Sequence, residues 1–348
     1  MKTIRTVDQL LEAGFIDQEM RKTLEKVTEK FSMAITPQLI ELINSSTVQD
    51  KKALLLQFLP TEQELKIAEE ESADPIGDTV YTVLKGVVHR YPDRCLLMPI
   101  SACPIYCRFC FRRETVGASG RILSKEDLNN AYAYIANHSE IWEVILTGGD
   151  PFFLKPKKIA EILTALEEIK HVEIIRFHTR VPIVDSRRIT DEMISVLKTS
   201  TKTIYIGLHA NHPCEFTDAA KSACALFVNA GIPMLGQTVL LKGVNDTPEI
   251  LGKLMRTFVK NRIKPYYLHH GDLAEGTSHF RTSIQEGQQL VKSLRGKYSG
   301  LCQPTYVLEA PGGAGKVPIH PSYIQNSSAS VEDYLLEDYL GNFHHYHS

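Results

Sequence analysis

The chain has no apolar run near the roughly 18 to 20 residues that a membrane span needs, and its first twenty residues scatter acids where an export leader would carry a basic start and an apolar core. It has no excess of either charge: 39 basic against 41 acidic side chains give a formal net charge of −2. That provides no general field for nucleic acid or an anionic membrane, so neither is expected as a partner. The seven cysteines are an odd number in a chain without an export signal, which argues against a disulfide framework. What remains is an ordinary globular composition, 43% apolar and 23% charged, and the expectation of a cytoplasmic protein. At 348 residues the chain suits one large domain or two small ones.

Residues 1–74 read as helices alone, because apolar residues recur at three- and four-residue spacing over 7–12, 17–30, 37–43 and 50–58. A polar stretch at 69–78 marks a linker. Beyond it, short apolar runs near 96–100, 144–147, 173–177, 203–208, 234–240 and 264–269 predict strands. Helical patterns near 125–137, 156–169, 190–199, 215–230, 247–260 and 284–296 separate or follow them, and a further strand is expected near 304–308. Such alternation argues for a parallel sheet, whose neighbouring strands need crossover connections. Spacing alone leaves open a doubly wound sheet or a (β/α) barrel; polar motifs at the ends of several different strands favour the barrel. The expected organisation is a helical segment 1–74, an α/β unit 75–325 and a tail 326–348, in which His344, His345 and His347 are solvated.

Chemistry begins at Cys103, Cys107 and Cys110, spaced C-x3-C-x2-C directly after the strand near 96–100. Three close thiolates suit zinc or an iron–sulfur cluster. A closed zinc site wants a fourth ligand, and no paired C-x2-C elsewhere supplies it. A cubane held by three thiolates leaves one iron open to a reactant.

The run, with Phe109 just before the last cysteine, resembles the cluster loop of the radical S-adenosylmethionine superfamily. The resemblance implies a partial (β/α)6-type barrel, a [4Fe–4S] cluster and S-adenosylmethionine, which an electron from the cluster cleaves to a 5′-deoxyadenosyl radical. Gly148, Gly149 and Asp150 are similar to that family's turn beside the methionyl amino group, although alone they would read as an ordinary turn. Near the far end, Gly312, Gly313 and Gly315 precede Lys316. A nucleotide-phosphate loop is excluded there, because Ala310 and Val317 replace its required glycine and hydroxyl residue. Together the motifs resemble the lysine 2,3-aminomutase family over roughly 75–325.

That narrower resemblance implies pyridoxal 5′-phosphate as a second cofactor, with Lys316 as its Schiff-base lysine, Arg94 and more weakly Arg90 at its phosphate, and Gln237 in contact with it. His209 matches a histidine near adenosylmethionine, and Arg112 the arginine that takes the substrate carboxylate; Arg113 is not expected to point inward. Asp272 and Glu309 stand where lysine-acting members generally carry two aspartates. Two negative charges favour a cationic substrate, L-lysine, over glutamate. The implied reaction moves the α-amino group to carbon 3, with a flavodoxin or ferredoxin as electron donor and homo-oligomerisation left open. The zinc-binding carboxyl-terminal extension of longer members is missing, and Thr247 stands where another zinc cysteine would, so no zinc is expected. Shortness and Glu309 are also similar to the sister enzyme that makes β-lysine for translation elongation factor P. Two other readings make opposite predictions: a radical methyl- or methylthio-transferase needs no pyridoxal phosphate, and a non-catalytic iron–sulfur or zinc protein cleaves no adenosylmethionine.

Overall fold

The first strand starts only after four helices. In the computed structural model, which describes residues 2–117, 120–326 and 333–348, these are α1 (Val7–Glu12), α2 (Arg21–Lys30), α3 (Pro37–Ser45) and α4 (Val48–Phe58). Each of α1, α3 and α4 starts at a threonine whose hydroxyl accepts a free backbone N–H of the first turn, a cap that stabilises a helix by about 1 kcal/mol. Their apolar stripes, including Leu10, Leu24, Ile40 and Phe58, join the same buried core as the α/β part, so the leader is built into it.

Ten strands form one sheet in chain order: β1 (Thr82–Leu84), β2 (Val87–Tyr91), β3 (Arg94–Ile100), β4 (Glu143–Gly148), β5 (Ile174–Thr179), β6 (Thr203–His209), β7 (Met234–Val239), β8 (Ile263–His269), β9 (Thr305–Ala310) and β10 (Gly315–Pro318). From β3 to β9 every pair is parallel. The crossovers carry α5 (Lys125–Ala136), α6 (Pro156–Glu167), α7 (Val181–Val184) with α8 (Asp191–Lys198), α9 (Asp218–Asn229), α10 (Pro248–Lys260) and α11 (Ile284–Leu294). These are the expected six strand–helix units followed by a seventh parallel strand. The antiparallel β1, β2 and β10 at the edges had no clear signal, because three to five residues are too few to show a period.

The sheet curls until its ends meet. Tyr91 on β2 accepts the Lys316 N–H of β10 at 2.8 Å, and Arg90 pairs with Glu309 on β9. No ladder joins β10 to β1 or β2 among the described residues; side chains close the seam. The linker runs along it, and a Cβ on Gly77 would lie 2.8 Å from the Gly313 nitrogen, so two glycines let the segments touch.

The expectation of a tail is corrected by β11 (Ile324–Asn326), β12 (Asp333–Glu337) and β13 (Phe343–His347), a separate antiparallel sheet. Its five-residue strands β12 and β13 mix aromatic, histidine and acidic residues, the first half-buried and the second exposed, which is why they read as solvated chain. His344 and His347 remain exposed but pair with Asp338 at 2.8 Å and Asp333 at 2.7 Å. No helix among the described residues is long and apolar enough to cross a membrane.

Candidate active site

The carboxyl ends of the parallel strands carry two groups of residues. On the first side, β3 leads into the loop of Cys103, Cys107 and Cys110, and all three line one cavity with Asp150, Arg113 and Arg180. The leader clamps this loop through its backbone: Tyr106 N–H donates to Ala34 at 3.2 Å and Arg108 N–H to Gln57 at 2.8 Å. Fully buried Glu64 accepts from Arg108 at 3.0 Å and also pairs with Arg113, turning Arg113 away from Arg112. This triad left no sequence signal, because its members meet only in three dimensions.

Three soft sulfur donors lining one cavity fit an iron–sulfur cluster by their chemistry. Among the described residues, only Asp50, His212 and Cys214 bring three donor atoms within 4.8 Å of one another. There His212 Nδ1 already accepts the Cys214 N–H at 3.3 Å as a turn cap. The three loop sulfurs do not all lie within that distance of one another, whereas a single tetrahedral zinc with bonds of about 2.3 Å would hold its thiolates about 4 Å apart. Burial raises all three thiols, Cys110 to about 11, so the free thiols stay protonated until a metal displaces the protons.

Gly148 and Gly149 pack against the start of this loop. Gly149 N–H donates to Ile100 at 2.7 Å, and a Cβ at Gly149 would fall 2.1 Å from the Ala102 oxygen. The Asp150 carboxylate turns into the protein, accepting from Thr179 Oγ1 at 2.8 Å and from the N–H groups of Phe152, Arg180 and Val181 at 3.1, 2.7 and 3.2 Å. Burial nevertheless pushes its pKa up to about 6. Asp150 therefore braces the β5 loop, and its two glycines provide the close approach.

Between the two sides stand His178, His209, Gln237 and His269, on the ends of β5, β6, β7 and β8. The Gln237 amide lies 3.1 Å from His178 Nε2 and 3.3 Å from His269 Nε2. His209 stacks near His269, with ring centroids 6.5 Å apart. Burial holds His178 and His269 far below the usual histidine range and His209 at about 4, so all three are neutral at pH 7. Sequence reasoning missed His178 and His269; a polar residue at a strand's carboxyl end was the available clue.

On the far side is a chain of paired charges. Lys316 Nζ donates to Glu309 Oε2 at 2.7 Å, and the other Glu309 oxygen pairs with Arg90. Arg90 also reaches Asp78 Oδ1 at 3.1 Å, and Asp78 Oδ2 accepts from Arg112 Nε at 2.9 Å. Asp78, a linker residue without a motif, thus orients both arginines, and an internal carboxylate already engages Arg112. Arg94 lies at the opposite, amino end of β3; it stacks 3.8 Å over the Tyr91 ring, whose hydroxyl holds the Lys316 amide. Among the described residues no hydrogen bond or ion pair ties down Asp272. Its pKa rises to about 7, through burial first and then the charge of Glu309, opposed by Lys316 and Arg112.

A profile described as the Radical SAM superfamily matches residues 97–254, and one described as Lysine-2,3-aminomutase matches residues 291–348. An L-lysine 2,3-aminomutase of Methanococcus maripaludis is 38% identical over 98% of this chain and 78% of its own. One from Clostridium subterminale is 37% identical over 97% of this chain and 80% of its own. A glutamate 2,3-aminomutase of Clostridioides difficile is 36% identical over 96% of this chain and 77% of its own. Among solved structures, Streptococcus suis SuiB bound to S-adenosylmethionine overlays with a TM-score of 0.46 at 15% identity, covering 64% of this chain and 51% of that one.

Proposed function

The chain belongs to the lysine 2,3-aminomutase family of radical S-adenosylmethionine enzymes and is an isomerase of the aminomutase class; from that premise we propose that it converts L-lysine to β-lysine with pyridoxal phosphate as a second cofactor. Cys103, Cys107 and Cys110 would hold the [4Fe–4S] cluster, with adenosylmethionine between it, the Gly148–Gly149 turn and His209. Lys316 would hold pyridoxal phosphate, with Gln237, Arg90 and Arg94 as its polar contacts. When bound, the cluster and adenosylmethionine supply hydrogen-atom abstraction, and pyridoxal phosphate carries the amino group as it migrates.

The chain's own task is to orient, neutralise and exclude water. Arg112 offers a planar fork to the substrate carboxylate in exchange for Asp78, which then remains the partner of Arg90. The neutral imidazoles of His178, His209 and His269 give the lumen polar walls without adding charge to it. A dry, fixed pocket is what this chemistry demands, because a carbon radical attacks whatever C–H bond it meets. A flavodoxin or ferredoxin would supply the electron.

One observation carries the choice of substrate: Asp272, a carboxylate that no hydrogen bond or ion pair ties down among the described residues, shares the electrostatic neighbourhood of Glu309 and Lys316. Such a pair attracts a distal ammonium and repels the side-chain carboxylate of glutamate. Anaerobic reconstitution, incubation with L-lysine or L-glutamate and chiral product analysis test it. β-Lysine is expected, and turnover of glutamate but not lysine overturns the assignment.

A further inference from the structure

We infer that Arg180 is a positioning residue for the cluster, a charged donor that the leader helix α4 holds against the Cys107 sulfur and that makes reduction of the bound iron easier. This rests on the proposed cluster site. Arg180 Nη1 lies 3.0 Å from Cys107 Sγ. Its Nη2 is held from behind by Gln57 Oε1 at 2.7 Å and Glu215 Oε2 at 2.6 Å. Rings cover the guanidinium, with centroids 4.7 Å away at Phe58 and 5.4 Å at Phe109, and its own backbone N–H is fixed to Asp150. Glu215 is fully buried and also accepts the Asn211 and His212 N–H groups at 3.0 and 2.7 Å, so neither partner can swing aside.

The geometry does more than bury an ion pair. A guanidinium needed only by Glu215 would have no reason to aim its other nitrogen at a sulfur. Reduction adds an electron to a group already rich in thiolate charge, and a charged N–H donor beside a ligand sulfur stabilises that added charge in a low-dielectric pocket. The positive end of the Arg180–Glu215 pair faces the sulfur and the negative end faces away, so the pair acts as a fixed dipole. Gln57 and Phe58 give α4 its part in this, which assigns the leader a role in electron delivery as well as in packing.

The test is the midpoint potential of the anaerobically reconstituted protein, followed by the EPR signal of the reduced cluster. The charge-matched double variant Arg180→Met with Glu215→Gln removes the dipole without stranding a buried acid. With iron and sulfide equal to wild type, it should be reduced about tenfold less favourably, a fall of about 59 mV for one electron. Arg180→Lys, which keeps the charge but loses the fork, should shift the same way by less, and it carries the test if the double variant misfolds. Full cluster content with unchanged potentials in these variants overturns the inference. A wild-type protein that takes up no iron and sulfide overturns instead the cluster site on which it rests.

Discussion

The two sides of the barrel mouth solve opposite electrostatic problems. On the cysteine side three thiols line a cavity whose charged neighbours Asp150, Arg113 and Arg180 are all held by other protein groups, with Arg180 the one guanidinium on a sulfur among the described residues. On the lysine side Arg112, Asp78, Arg90, Glu309 and Lys316 form a continuous chain of paired charges, with Asp272 beside it. The first is built for a group whose reactivity depends on being desolvated. The second, as proposed, would be rearranged by a charged ligand, because its pairs can be exchanged for a substrate or cofactor group of the same sign. On the proposed assignments, radical generation and substrate choice rest on different residues and should fail separately.

The largest effect that separates them is expected from Cys107→Ala. Iron content and adenosylmethionine cleavage should be lost and turnover should fall by about a thousandfold or more, while absorption from pyridoxal phosphate on Lys316 persists. Lys316→Ala should do the reverse, abolishing that absorption and turnover but leaving iron and sulfide at wild-type levels. If either variant loses both cofactors, the two sides are not independent.

Glu309→Gln is the next test. It keeps the shape but removes the negative charge that Lys316 and Arg90 share and replaces one of their two accepting oxygens by a donor, so kcat/KM for lysine should fall about tenfold to a hundredfold, with cluster content unchanged. A variant that handles lysine normally would remove this acid from substrate recognition.

The smallest effect is a pH dependence. Asp272, raised to about 7, is largely protonated in the free protein below that pH and charged above it, so kcat/KM for lysine should climb between about pH 6 and 8. Asp272→Asn should flatten that limb. Stability runs in the opposite direction. The folded carboxyl holds its proton up to about 7 and the unfolded one only to about 3.9, so the cofactor-free protein loses stability as pH rises from about 4 through 7. Melting temperatures of the Asn variant should lack that part of the decline.

What the sequence made legible is what repeats or sits close together. The parallel strands announced themselves through runs such as 144–147 and 203–208 flanked by helical periods, and the cysteines lie within one loop. The ends of the sheet and the ion pairs were hidden for one reason. Glu64 with Arg108, Gln57 with Arg180 and Asp78 with Arg112 are separated by 44, 123 and 34 residues, and periodicity carries no information about partners so distant. Asp150 shows a subtler gap. Its place in the motif was visible, but only the structure shows its carboxylate spent on Thr179 and the following backbone.

The meeting of Tyr91 with the Lys316 amide, and of Arg90 with Glu309, makes this cylinder a coat fastened by buttons. Because no amide ladder crosses the opening among the described residues, it can be undone without tearing the cloth on either side. A bulky prosthetic group could therefore be loaded into a wall that is already folded, and because the Arg90–Glu309 button is buried, salt alone should do little to loosen it.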